Sequence, residues 1–140
     1  LFLHILLGNK IENVFDVWGG ISGIQSGFQV AFHEGCVKRG ICPSVLANAM
    51  AKQPAQAFGI YGKKGDIKPG FDADLVIVDP DKEWKITEDS LYYVNKISAF
   101  VGMKGKGLPV YTIIRGQVIA EGGKLVGTKG FGNFVKKGEK

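Results

Sequence analysis

Gly65-Asp66-Ile67-Lys68-Pro69-Gly70-Phe71-Asp72-Ala73-Asp74-Leu75-Val76-Ile77-Val78-Asp79 is the stretch that decides the fold. Leu75 to Val78 form a continuous apolar run, bounded by Asp74 and by Asp79-Pro80. Such a run predicts a strand buried on both faces. Ahead of it, Asp72 is expected to close a turn after Gly70, and Asp74 to bind backbone N–H groups where the strand begins. These roles outweigh the alternative in which Asp72 and Asp74, two residues apart on one face of an extended segment, act as a catalytic pair.

Downstream, Val110 to Arg115 and Gln117 to Ala120 are β-rich runs around Arg115-Gly116, and Gly122-Gly123 turns the chain into Lys124-Leu125-Val126. These read as strands of an antiparallel meander. Between Trp84 and Gly107 no period is visible, and long loops are expected. Upstream the period is helical. Ser22-Gly23-Ile24-Gln25 fits a capping box, followed by Ile24, Phe28, Ala31, Phe32 and Gly35 on one helix face. Gly40 is the stop after Lys38 and Arg39. Pro43 and Pro54 suit the first turns of two further helices, the first with Val45, Leu46, Ala49 and Met50 inward and the second ending at Phe58.

Composition therefore divides the chain near Gly62. Residues 1–62 read as a helical segment, 63–128 as a β-rich portion, and 129–140 as a basic tail expected to be flexible. The class is α+β, helices first and a mostly antiparallel sheet second.

The 140 residues are 45% hydrophobic and 22% charged, with a mean hydropathy of +0.07. That describes a globular chain of about one domain rather than a disordered one. A closed eight-stranded α/β barrel, at about 200 to 250 residues, does not fit in this length. No apolar run approaches the roughly 18 to 20 residues that span a bilayer. Leu1-Phe2-Leu3-His4-Ile5-Leu6-Leu7 is short and lacks the cationic start and small-residue cleavage pattern of a signal peptide. The absence of an initiator Met reads as an incomplete or unusual N-terminus.

The net charge of +5 is unevenly placed, −1 over residues 1–101 and +6 over 102–140. Ten of the 21 glycines share the basic third, so its cations sit among turns and read as a hydrated face rather than a nucleic-acid surface. Cys36 and Cys42 make neither a disulfide framework nor a zinc site and are expected to be buried thiols in a reducing cytoplasm.

His4 and His33 are the only imidazoles. No H-x-H, H-E-x-x-H or H-x-x-E-H occurs, and the adjacent His33 and Glu34 point to different sides of a helix. His33 is expected to be a partly exposed helix residue. Ser22 and Ser26 have no local base to activate them. Gly19-Gly20-Ile21-Ser22-Gly23 leads into a helix, so its backbone N–H groups could receive an anion or a carbonyl oxygen.

The quoted stretch Gly65 to Asp79 resembles the C-terminal signature of the amidohydrolase superfamily. Gln53-Pro54-Ala55-Gln56-Ala57-Phe58-Gly59-Ile60-Tyr61 is similar to the N-P-A-x-x-F-G-L-Y segment that precedes it in cyclic amidohydrolases. Phe15-Asp16-Val17-Trp18-Gly19-Gly20-Ile21-Ser22-Gly23-Ile24-Gln25-Ser26-Gly27-Phe28 resembles allantoinases in particular, whereas hydantoinases and dihydropyrimidinases tend to have Asn at 22 and Glu at 25. The resemblance covers about residues 14–128 and implies the C-terminal part of such an enzyme. Residues 16–60 would be the last loop and helices of a (β/α)₈ barrel, and those from about 65 onward a share of a small β-sandwich built from both chain ends.

The family's ring hydrolysis uses two divalent, zinc-like metals, held by an H-x-H pair, a carboxylated Lys, two further His and an Asp. None of these motifs occurs here. An S-D-H-S-P-like stretch belongs just before Phe15, where this chain has Leu1 to Lys10 and no Asp. No catalytic or metal-binding residue is therefore carried over. What remains is the substrate loop, in which Ser22 would hold the ring through its backbone while Gly20 and Gly23 shape the approach. The implied substrate is a small cyclic ureide. The implied partner is a barrel half or a second copy of the chain, and this chain alone is expected to be inactive. The alternatives are a hydantoinase or dihydropyrimidinase part and a non-catalytic β-rich binding or assembly module.

Overall fold

A computed structural model describes residues 22–138. Helices come first. The α1 helix spans Gly27–Phe32 and continues as a wider π-helical turn over His33–Val37. Gly40 ends this run with φ 66°, as its position after two cations predicts. Next, α2 (Pro43–Ala47), a π turn (Asn48–Lys52) and α3 (Gln53–Ala57) follow without a break. The two helices predicted from Pro43 and Pro54 are thus one run. A regular α turn would press the Pro54 ring on the carbonyl of Met50, and the wider turn opens just ahead of it.

The second half is a four-stranded antiparallel sheet in the order β1 (Leu75–Lys85), β2 (Lys104–Ile114), β3 (Gln117–Glu121), β4 (Lys124–Leu125). β1 pairs with β2 in three blocks, from Leu75 opposite Ile113 to Trp84 opposite Gly105 and Lys85 opposite Lys104, with register shifts after Ile77 and between Asp79 and Glu83. Pro80 falls in the second irregularity, where its missing N–H breaks no ladder. Arg115 and Gly116 both take positive φ, 46° and 80°, the two-residue turn whose twist matches a β hairpin. The meander and the helix-then-sheet order agree with the sequence reading.

Four expectations are corrected. First, Leu75 to Val78 is not a doubly buried strand: among the described residues β1 is an edge, and Val76 and Ile77 are each 48% exposed. Only β2 covers it here, whereas a parallel-type run anticipates neighbours on both sides. Second, the Ser22–Gln25 capping box does not form. Ser26 is the N-cap residue and makes no side-chain cap, and the Gln25 side chain turns elsewhere. Third, the inward faces are incomplete, since Ile24 is 97%, Val45 57% and Met50 45% exposed, while Phe32 is buried. Ile24 precedes the helix, so its place in the periodic pattern has no structural meaning. Fourth, Cys42 is exposed and Cys36 half-buried, because neither lies where α1 meets the sheet.

The core lies at the other end of β1. Trp84, Ile86 and Leu91 are buried, with Val30, Tyr93, Phe100, Met103 and Leu108 packed around them. The aperiodic stretch after Trp84 therefore carries the core instead of looping away from it. Within it, Thr87 caps the 3-10 turn Glu88–Ser90 in a reciprocal capping box. The α1 helix reaches the sheet over Gly105 and Gly107 of β2. A Cβ on Gly105 would lie 2.5 Å from Trp84 and 2.6 Å from His33, and one on Gly107 would lie 2.2 Å from Phe32. Two glycines two positions apart on one strand face permit that close approach.

Candidate functional site

The candidate substrate loop precedes α1. Ser22 is exposed and Gly23 half-buried, while Gly20, with His4, lies outside the described residues. The Gly27 N–H donates to the Gly23 carbonyl at 2.6 Å, so the loop runs straight into the helix. Its other supports come from the 86–103 connection. Ser98 Oγ donates to the Ser22 carbonyl at 3.1 Å. The Gln25 N–H donates to Tyr93 Oη at 3.0 Å. The Gln25 side chain donates through Nε2 to the Ser90 carbonyl at 2.7 Å and accepts the Tyr92 N–H at 2.8 Å through Oε1. Sequence reading singled out Ser22 and Gln25 but missed Ser90, Tyr92, Tyr93 and Ser98, which carry no local signal.

His33 is half-buried and works structurally. Its Nδ1 accepts the Lys106 N–H at 3.1 Å, and its ring stands edge-on to Trp84 at 5.7 Å. The expectation of a partly exposed helix residue stands. Glu34 is engaged with Lys38 at 2.6 Å and Arg39 at 3.1 Å. The Lys38 hydrogen bond leads the effects that hold its carboxyl below the usual range.

Asp72 and Asp74 converge on Lys64, whose Nζ lies 2.7 Å from one carboxylate and 2.5 Å from the other. Burial opposes the Lys64 charge, and the two carboxylates outweigh it, so the ammonium is held above its ordinary range. Asp74 Oδ1 also accepts the Arg115 N–H at 2.8 Å, which fixes the residue in the left-handed position of the hairpin turn. The backbone-binding role predicted for Asp74 is met, at the β2–β3 turn instead of its own strand. Arg115 in turn stacks over Phe131 at 4.3 Å, and the Gly138 N–H reaches the Gly59 carbonyl at 2.8 Å. No acid–base pair free to act on a substrate results.

An open groove of about 1080 Å³ runs between the α2–α3 run and β1, lined among others by Phe28, Leu46, Met50, Phe58, Leu75 and Val76. Its walls are mostly apolar and hold no matched set of catalytic groups.

The profile of the amidohydrolase family matches residues 16–119. The chain belongs to this family. The chain is 42% identical over 92% of its length to an allantoinase of Rubrobacter xylanophilus and 40% identical over 91% to an allantoinase of Escherichia coli. It covers only 29% and 28% of those two proteins, under a third of their length. Among solved structures, an L-hydantoinase (dihydropyrimidinase) from Arthrobacter aurescens superposes with a TM-score of 0.82 at 35% identity, covering 89% of this chain and 28% of that one. A D-hydantoinase from Thermus sp. gives 0.84 at 27% identity, covering 91% and 28%.

Catalysis in the family generally depends on metal. The described residues of this member do not fit such a centre. No three His, Cys, Asp or Glu among them gather as ligands, and His33 Nδ1, Glu34, Asp72 and Asp74 are all committed to the contacts above. Among the described residues no helix is long and apolar enough to cross a membrane.

Proposed function

We propose that this chain is the C-terminal part of an allantoinase-like cyclic amidohydrolase. The complete enzyme would open the hydantoin ring of allantoin by hydrolysis, in a reducing cytoplasm and with two zinc-like metals supplied by residues outside this chain. The observation that carries this reading is the 42% identity to an allantoinase over nearly the whole chain, together with Ser22 and Gln25 at the positions where the resemblance separates allantoinases from hydantoinases. In this reading the helices up to residue 62 close a barrel whose strands would lie in the apolar groove. Residues 63–128 are the sandwich portion, with the basic stretch 129–140 beyond. Ser22 would hold the ring through its backbone, and Gly20 and Gly23 would shape the approach. Alone the chain would be inactive, because ring opening at neutral pH needs an activated hydroxide.

The test is to express the chain joined to whatever its gene encodes upstream and to compare turnover of allantoin, hydantoin and dihydrouracil. Preference for allantoin is the expected outcome. Preference for hydantoin or dihydrouracil would move the protein to the hydantoinases. No turnover of any ring, with no upstream barrel half encoded, would leave the β-rich binding module as the better reading.

A further inference from the structure

Composition alone makes 129–140 a loose basic tail, yet the chain beyond β4 is tied down along its course. At the near end the Val126 and Gly127 N–H groups both donate to the Ile119 carbonyl of β3, at 2.9 and 3.0 Å. A Cβ on Gly127 would lie 2.9 Å from that of Ile119, so the chain leaves the sheet pressed on β3. At the far end the Gly138 N–H donates to the Gly59 carbonyl at 2.8 Å. The Lys137 stem lies across Gly59, where a Cβ would come within 2.9 Å of its Cγ. Gly59, at φ 70°, is the left-handed residue that follows the Phe58 C-cap of α3.

Between these ends stands Arg115. Its guanidinium donates to the Phe131 carbonyl and lies 4.3 Å over the Phe131 ring, two contacts that a planar cation makes together. Arg115 is also the only non-glycine residue with positive φ among the described residues, in a turn position that favours Asn and strains an arginine backbone. Such strain is retained where surrounding contacts fix it, here the Asp74 bond and the grip on Phe131. The links close a ring. The chain beyond α3 runs on to Lys64, Lys64 pairs with Asp74, Asp74 accepts the Arg115 N–H, Arg115 holds Phe131, and Gly138 returns to Gly59.

We propose that residues 128–138 are a latch, clasped by Arg115, that holds the end of α3 toward the sheet. Phe58 and Ile60 beside that end line the open groove, so the latch sets where the helical wall of the groove stands. Releasing it frees the wall without undoing the sheet, whose core of Trp84, Ile86 and Leu91 lies at the α1 end.

The experiment uses Arg115→Asn, a chain ending at Gly127, and the two changes combined. Asn suits the turn better than Arg and removes only the clasp. Trypsin cleavage between 129 and 137 under native conditions, which follows the open population, is expected to rise about tenfold in Arg115→Asn. Amide exchange at Ile60 and Tyr61, whose N–H groups bond the Ala55 carbonyl, rises about tenfold in both single variants, equivalent to roughly 1.4 kcal/mol. The combination is no faster than the shortened chain, because the clasp acts through the tail alone. Exchange over 104–114 stays at the wild-type rate in all three. Unchanged cleavage in Arg115→Asn would overturn the clasp. Unchanged exchange at Ile60 and Tyr61 in the shortened chain would overturn the latch. Loss of protection over 104–114 in Arg115→Asn would make Arg115 a residue of the fold at large and overturn its role as a clasp.

Discussion

Gly107 decides how closely α1 can lie on the sheet. It combines φ 91° with a Cβ position 2.2 Å from the Phe32 ring, so a side chain there meets backbone strain and overlap together. Each costs roughly 1 to 3 kcal/mol. Gly107→Ala is expected to lower stability by about 2 to 4 kcal/mol in urea melts, while Gly132→Ala, which meets nothing within 4 Å, should change it by under about 0.5 kcal/mol. Equal effects would remove the close approach.

Asp66 makes the other prediction at this scale. Lys68 at 2.9 Å and the Tyr61 hydroxyl at 2.9 Å lower its carboxyl pKa from 3.8 to about 2, with the Lys68 hydrogen bond the larger cause. A lowered folded pKa means that the contribution is present above pH 3.8 and is lost as pH falls through about 2. A carboxyl titration followed by NMR should place the Asp66 midpoint near 2. A midpoint near 3.8 would show the cluster open in solution.

Among the elements, β1 has two unlike ends. Val76 is 48% exposed and Trp84 only 7%, so the apolar run that marks the strand in the sequence is not where its burial lies. Val76→Asp in this chain is expected to cost under about 1 kcal/mol, as a surface change. Leu91→Ala, at 1% exposure, should cost about 2 to 5 kcal/mol. A reversed order in urea melts would place the core at the start of β1. The β2–β3 hairpin was legible in the sequence because its signal is local: two β-rich runs and a turn dipeptide. The 86–103 connection was not, since it has no period and its bonds to the loop before α1 span 65 to 76 residues. The paired Gly105 and Gly107 were the one available hint that a helix comes close there. The reading of the loop before α1 as a substrate loop came through family resemblance alone, because a backbone role leaves no mark on residue type.

Across the whole molecule, apolar burial is uneven. Trp84, Ile86 and Leu91 gather at the α1 end of the sheet, whereas along the α2–α3 run only Ala55 is buried. Val45 at 57%, Met50 at 45% and Phe58 at 73% exposed stand on or beside the open groove. Covering such a side chain stabilises by roughly 1.5 to 3 kcal/mol, and this chain largely forgoes that gain. A helix of 15 residues with little tertiary support is marginal in water, so this run should open locally far more often than the sheet. In amide exchange on the 140-residue chain at micromolar concentration, residues 43–57 are expected to exchange at least about tenfold faster than 104–114, equivalent to roughly 1.4 kcal/mol or more. Raising the concentration should slow them only if copies cover each other's grooves, as large apolar patches tend to be covered. Protection equal to that of β2 in a dilute monomer would mean that the helices complete their core within this chain. The groove would then have no barrel to await, and a self-contained module would explain the protein better than part of a ring-opening enzyme.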